Sequence, residues 1–383
     1  MSAVLSRYRS VLPAVPPWAY AAFLAVALGW VVVAPTYWVF LGSAACLTAI
    51  AALGLTVVVG WAGEVSLAQA SAMGTAVYVT GYVSRPEDGY GLPFLVALGA
   101  GVAVSTALYA LVSLPTARMS GIYVMVLTLG LQVTIERTLF ANAKLTGGAQ
   151  GFYQTRPEIF GVSFEPERAF YYLTLAILGA VILFLTLLRQ SRHGRALFLV
   201  KTNREAAAAV GISPWRYKIL AFAVCGVLAG LAGALTAPLY RSPPTSFQYL
   251  SIPSLFLLAI PVTAGFESLL GVVIVAFTFT MIPQTLQSLH VSTFVVAGAG
   301  LLAGTYLGPR GVGGVLLDRL RDRREVALLA APGLGPQRPP AGLPTVTAEA
   351  VVSANSATVD LTRPPAGAAI GAGGADTHEE GRS

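Results

Sequence analysis

The side chains able to do chemistry fall in three places in this sequence. The first is 60–70, Gly60-Trp61-Ala62-Gly63-Glu64-Val65-Ser66-Leu67-Ala68-Gln69-Ala70, a polar interruption between two apolar runs. A lone carboxylate beside Ser66 and Gln69 suggests a broken helix or tight turn that faces protein or water rather than lipid. An ordinary short loop is the plainer alternative. The second place holds Gln132 and Glu136, four apart and so on one helix face. A carboxylate at membrane depth is costly without water or a partner. With Arg137 adjacent, Glu136 is read as interfacial, and the alternative is the polar mouth of a translocation path. Glu64, Ser66, Gln69, Gln132 and Glu136 are therefore the candidate path residues.

The third place, 203–211, suits mechanical work better than catalysis. Asn203 can cap a short helix, and Glu205 then sits in its first turn, where a carboxylate favours the helix dipole. Ala206, Ala207, Ala208 and Ala209 are strong helix formers without bulk. Gly211 supplies a left-handed stop, and Pro214 prevents the helix from resuming unchanged. A short, smooth helix ended by a sharp turn suits insertion into a groove on another protein. No residue is assigned a catalytic role. Cys46 and Cys225 lie far apart in apolar runs, and His193, His290 and His378 show no ligand spacing, so neither a disulfide nor a metal site is expected. There is no G-x-x-x-x-G-K-[ST] phosphate loop, so no ATP hydrolysis by that route and no cofactor are expected in this chain.

The elements that must position these residues are membrane helices. Of 383 residues, 55% are hydrophobic and 11% charged, with mean hydropathy +0.71. Soluble domains carry about a quarter charged residues, which leaves an all-α, polytopic membrane protein. Apolar stretches near 18–34, 37–60, 68–83, 91–114, 119–140, 169–188, 219–240, 250–265, 268–289 and 292–308 give about ten segments. The third, eighth and tenth are short and are read as tilted, broken or re-entrant. The first follows Arg7 and Arg9 and ends at Pro35 without a small-x-small cleavage site, so it is read as a retained span.

Charge orients the chain. With the amino terminus inside, 18 of the 24 Lys and Arg fall on the cytoplasmic side, seven of them in 189–218. Both termini are then cytoplasmic. The net charge of +7 is explained by this clustering, and nucleic acid is not an expected partner. Three regions result: a cytoplasmic segment 1–17, a transmembrane domain 18–310 containing the 189–218 loop, and a cytoplasmic tail 311–383. Residues 331–383 hold seven Pro and eight Gly with no aromatic, a composition expected to be disordered.

Taken together, six stretches resemble the branched-chain amino-acid (LivM-type) permease family of ABC importers. They are GLTVVVGWAGEVSLAQA at 54–70, ARMSGIYVMVLTLG at 117–130, LTGGAQGF at 145–152, GRALFLVKTNREAAAAVGI at 194–212, RYKILAFAVCGVLAGLAGAL at 216–235 and GPRGVGG at 308–314. Within them, Glu205-Ala206-Ala207 followed by Gly211 resembles the EAA signature that docks on the ATPase. The resemblance implies ATPase-coupling roles for Asn203, Arg204, Glu205, Ala206, Ala207 and Gly211. It implies a second permease subunit forming a heterodimer, two cytoplasmic ATPases carrying ATP and Mg, a periplasmic solute-binding protein and residence in a bacterial inner membrane. The implied cargo is a branched-chain amino acid, the alternative being urea, an amide or another small polar solute. Three departures stand out: Tyr217 to Ala221 where the signature continues Ile-x-Leu-Pro, Ala264-Gly265-Phe266-Glu267-Ser268 where relatives show Gly-Gly-x-Gly-Ser, and Val133 with Glu136 where they carry Glu and then Arg. The rival from another class is an ion-coupled secondary transporter or channel. It needs ionisable groups at depth, and the spans at 37–60, 91–114, 169–188, 219–240 and 268–308 have no Asp, Glu, Lys or Arg.

Overall fold

Two facts of sequence set the architecture: apolar runs long enough to cross a bilayer, and small residues where those runs must meet. The computed structural model describes residues 17–85, 89–116, 119, 121–142, 146, 147, 153, 154, 156–159, 162–241, 249, 251–266, 268–286, 298 and 302. The chain divides into two units, Met1–Arg323 and Arg324–Ser383, and every described residue belongs to the first. Almost all of the expected span at 292–308 and of 145–152, Glu267 and the tail lie outside the described residues.

The described elements are helical apart from one two-residue hairpin. They are α1 (Pro17–Val33), α2 (Thr36–Leu55) running into a π turn (Thr56–Trp61), α3 (Gln69–Ser84), α4 (Phe94–Thr116) and α5 (Ile122–Thr138). Strands β1 (Glu158–Ile159) and β2 (Val162–Ser163) pair antiparallel, and α6 (Glu167–Gln190), α7 (Arg192–Thr202), α8 (Arg204–Ala209), α9 (Pro214–Tyr240), α10 (Ser251–Ala264) and α11 (Leu269–Leu286) follow. Nine of the ten expected apolar segments thus coincide with helices among the described residues. Four stretches, Thr36–Trp61, Phe94–Thr116, Glu167–Gln190 and Pro214–Tyr240, are long and apolar enough by themselves to cross a membrane. The protein is a multi-pass, all-α membrane protein.

α2 is the hub. From Val39 to Leu55 all of its residues but Phe40 and Thr48 are buried, as expected for a helix without a polar face. α9 is the second pillar and packs on α2, α3 and α4. Gly226 and Gly230 meet α4 backbone to backbone: a Cβ on them would lie 2.9 Å from Thr106 Cα and 2.8 Å from Val102 Cα. Ser105 Oγ donates to Gly226 O across the seam at 3.0 Å. The four-residue glycine spacing therefore serves packing within the chain.

The ends of the helices gather in two sets. Gly60 to Glu64, Thr116 and Met119, the α7–α8 segment, the start of α9 and Phe266 touch one another. Ser84, Gln154, Glu165 and Arg241 form the other set: Gln154 reaches Ser84 Oγ and Arg241 O, and Arg241 pairs with Glu165 at 3.0 Å. Each set unites ends that the charge bias assigns to a single side of the membrane.

Candidate functional site

The α6–α9 connection is built by local signals. Ser191 caps α7 by accepting from Gly194 N at 3.3 Å. α7 then buries Gly194, Ala196, Leu197 and Val200, a helical stripe facing the membrane domain. Asn203 ends α7 and begins α8: extended at φ −154°, ψ 110°, it accepts from Ala206 N at 3.0 Å. Glu205 occupies the first turn. At the other end Gly211 N donates to Ala208 O (3.0 Å) and Ile212 N to Ala207 O (2.9 Å), with Gly211 at φ +81°. This is a Schellman stop, which satisfies the last carbonyls and reverses the chain. Pro214 opens α9 at the position where a missing N–H costs nothing.

Six residues thus make a helix in which Ala207 alone is buried. Arg204, Glu205, Ala206, Ala208, Ala209 and Val210 are exposed, as is Trp215 just beyond. The result is an exposed row of small apolar side chains, rimmed by charge and held by two caps.

Beside α8 lies Glu64, fully buried. Its Oε1 accepts from Arg204 Nη2 at 2.5 Å and Lys218 Nζ at 2.6 Å. Lys218, also buried, donates to Met119 O at 2.8 Å, and Lys201 Nζ donates to Gly60 O at 2.7 Å. Two opposite charges on one carboxylate oxygen offset the desolvation that would otherwise forbid a buried carboxylate. Of the sequence-derived path residues, Glu64 is therefore tied to α8.

The remaining four knit the break between the π turn and α3. Gln69 Nε2 donates to Ala51 O (2.9 Å), while its Oε1 accepts from Tyr109 Oη (2.7 Å) and Cys225 Sγ (3.2 Å). Ser66 Oγ lies 3.4 Å from Tyr109 Oη. Gln132 Oε1 accepts from Ser71 N at 2.9 Å, and its amide donates to Tyr249 O (2.7 Å) and Glu136 Oε1 (3.0 Å). Every polar atom of Gln132 is used, so Gln132→Leu is expected to lower stability by about 2–4 kcal/mol, since two buried backbone groups each lose a partner. Thermal unfolding of the purified variant in detergent measures it.

Sequence reasoning missed Lys218, Lys201, Tyr109 and Thr128, whose Oγ1 accepts from Leu67 N at 3.1 Å. A signal for Lys218 was present: Lys218, Ala221, Phe222 and Cys225 follow helical spacing and are all buried. Among the described residues no three His, Cys, Asp or Glu converge as a metal site.

Comparison with known proteins bears on the same segments. Residues 37–305 match the family model described as branched-chain amino acid transport system / permease component. The high-affinity branched-chain amino acid transport system permease protein LivM of Salmonella typhimurium is 26% identical over 316 residues, covering 76% of this chain and 73% of that protein. LivM of Escherichia coli matches with the same identity and coverage. The xylose transport system permease protein XylH of Haemophilus influenzae is 31% identical over 142 residues, 35% of this chain and 37% of that protein. No solved structure matches.

Proposed function

Because this chain belongs to the family of branched-chain amino acid transport system permease components, we propose that it is the membrane-spanning subunit of an importer for branched-chain amino acids. It works beside a second, related permease in a bacterial inner membrane, with both termini cytoplasmic. A periplasmic protein delivers the solute, and two cytoplasmic ATPases bind and hydrolyse MgATP. This subunit performs no chemistry itself.

The observation that carries the reading is the doubly capped α8, with one buried residue and an exposed alanine row. Its place between α6 and α9, two helices long enough to span a bilayer, means that a push on it moves both. Closure of the ATPases would displace α8, and the attached helices would rock to alternate access to a central path. A second reading, another small polar solute, is favoured by the matches to xylose and ribose permeases over about a third of the chain.

The test is to purify the tagged chain with its bound subunits from native membranes and reconstitute it in liposomes with the binding protein. Uptake of radiolabelled leucine is expected to require ATP inside the compartment that holds α8 and to survive a protonophore. Ribose uptake in its place supports the second reading. Uptake that persists without ATP and collapses with the protonophore sinks both.

A further inference from the structure

We propose that Glu64 is the positioning residue through which displacement of α8 enters the membrane domain, an inference that rests on the coupling role proposed for α8. α8 buries a single alanine, too little apolar surface to transmit both push and pull. The charged contact supplies the rest. Arg204, the first residue of α8, holds Glu64 Oε1 from the partner-facing side, and Lys218, one turn into α9, holds the same atom from within. Glu64 Oε2 is buried and accepts from no donor among the described residues.

The grip on the residues just beyond Glu64 makes it a transmitter rather than an anchor. Within seven residues the chain is held by three helices: Ser66 by Tyr109 of α4, Leu67 by Thr128 of α5 and Ser254 of α10, and Ser71 by Gln132 of α5. The Leu67 carbonyl accepts from Ser254 Oγ at 2.6 Å, and that same hydroxyl accepts from Ala70 N at 3.3 Å. Val65 to Ala68 lie outside any helix, between the π turn and α3, so movement of the carboxylate is handed to these side chains. Lys218 adds a branch, since it also holds the Met119 carbonyl at the α4–α5 turn.

The experiment reads leucine moved per ATP hydrolysed by the reconstituted full transporter. Glu64→Gln keeps the shape and removes the charge. It is expected to retain bound ATPases and ATP hydrolysis but to lower the ratio about tenfold, within the usual range of coupling between sites. Glu64→Asp is expected to restore most of the ratio. If Glu64→Gln strands Lys218 and fails to fold, Glu64→Gln/Lys218→Met removes that burden, and its ratio is still expected to fall because Arg204 has lost its partner. A wild-type ratio in either folded Gln variant overturns the proposal, as does loss of bound ATPases, which would make Glu64 part of the docking surface. Failure of the wild-type complex to couple ATP to uptake instead sinks the reading of α8 on which this rests.

Discussion

Gly233→Leu is expected to prevent the protein from accumulating in a folded state. The position lies on the face of α9 turned to α3, where the two backbones come together. A Cβ at Gly233 would sit 2.2 Å from Met73 O, 2.9 Å from Met73 C and 3.0 Å from Ala76 Cβ. Backbone atoms in a helix cannot rotate aside as a side-chain tip can, so the helices themselves must part. Overpacking a core by ordinary side-chain adjustment costs about 1–3 kcal/mol; separating two buried helices costs more, because it also opens the packed surface along their length. The glycine faces of α9 explain why: Gly226 and Gly230 press on α4 while Gly233 presses on α3, so α9 is a wedge with small residues on two sides. The check is the yield of monodisperse protein in size-exclusion chromatography of detergent extracts, expected to fall below about a tenth of wild type on those energies. Gly179→Leu is the control. It lies within α6, a Cβ there meets nothing within 4 Å, and its yield is expected to be unchanged. Equal yields from the two variants would falsify the close α3–α9 packing.

The parts legible in sequence were those fixed by neighbours along the chain. Asn203, Glu205 and Gly211 define α8 through bonds that span three to five residues, so caps and stop could be read directly. The apolar runs fixed nine helices in the same way. The π turn at Thr56–Trp61 was not legible, since 37–60 carries no proline or charge to mark a change of winding. Nor was the partner of Glu64: Arg204 lies 140 residues away, and nothing local says that a basic residue in a charged loop will turn back toward the helix bundle. Lys218 shows the intermediate case. Counted only as one more inside charge, it could have been placed inward by its register with Ala221, Phe222 and Cys225 once Pro214 was taken as the helix start. Phe266, at one of the departures from the family pattern, stands against Gly60, where a Cβ would meet its own Cβ at 2.9 Å. Such contacts come from packing of separate helices and have no signature along the chain.

Substitutions at Gly211 are expected to reduce transport in an order set by backbone conformation and not by size. The sequence reads Gly211 as a left-handed stop. In the structure a Cβ at Gly211 meets nothing within 4 Å, while φ is +81°. The restraint is therefore the left-handed turn. For most L-residues that region costs about 1–2 kcal/mol, for asparagine less, and for a β-branched residue it is a genuine outlier. When the turn is refused, the Gly211 N to Ala208 O and Ile212 N to Ala207 O bonds go with it, and α8 loses its terminus. With only Ala207 buried, the helix has no packing to hold it once the stop is gone. Uptake by the reconstituted transporter is expected to fall in the order Gly211→Asn, Gly211→Ala, Gly211→Val, with the valine variant below about a tenth of wild type on those costs. Folded yield should stay at wild type throughout, because the lesion is confined to an exposed turn. ATP hydrolysis by the valine variant is expected to continue without transport, as the proposed coupling through α8 requires. Asparagine is larger than alanine, so a result with alanine better tolerated than asparagine would show that bulk against the docked partner governs this position, and the conformational account of the stop would fail.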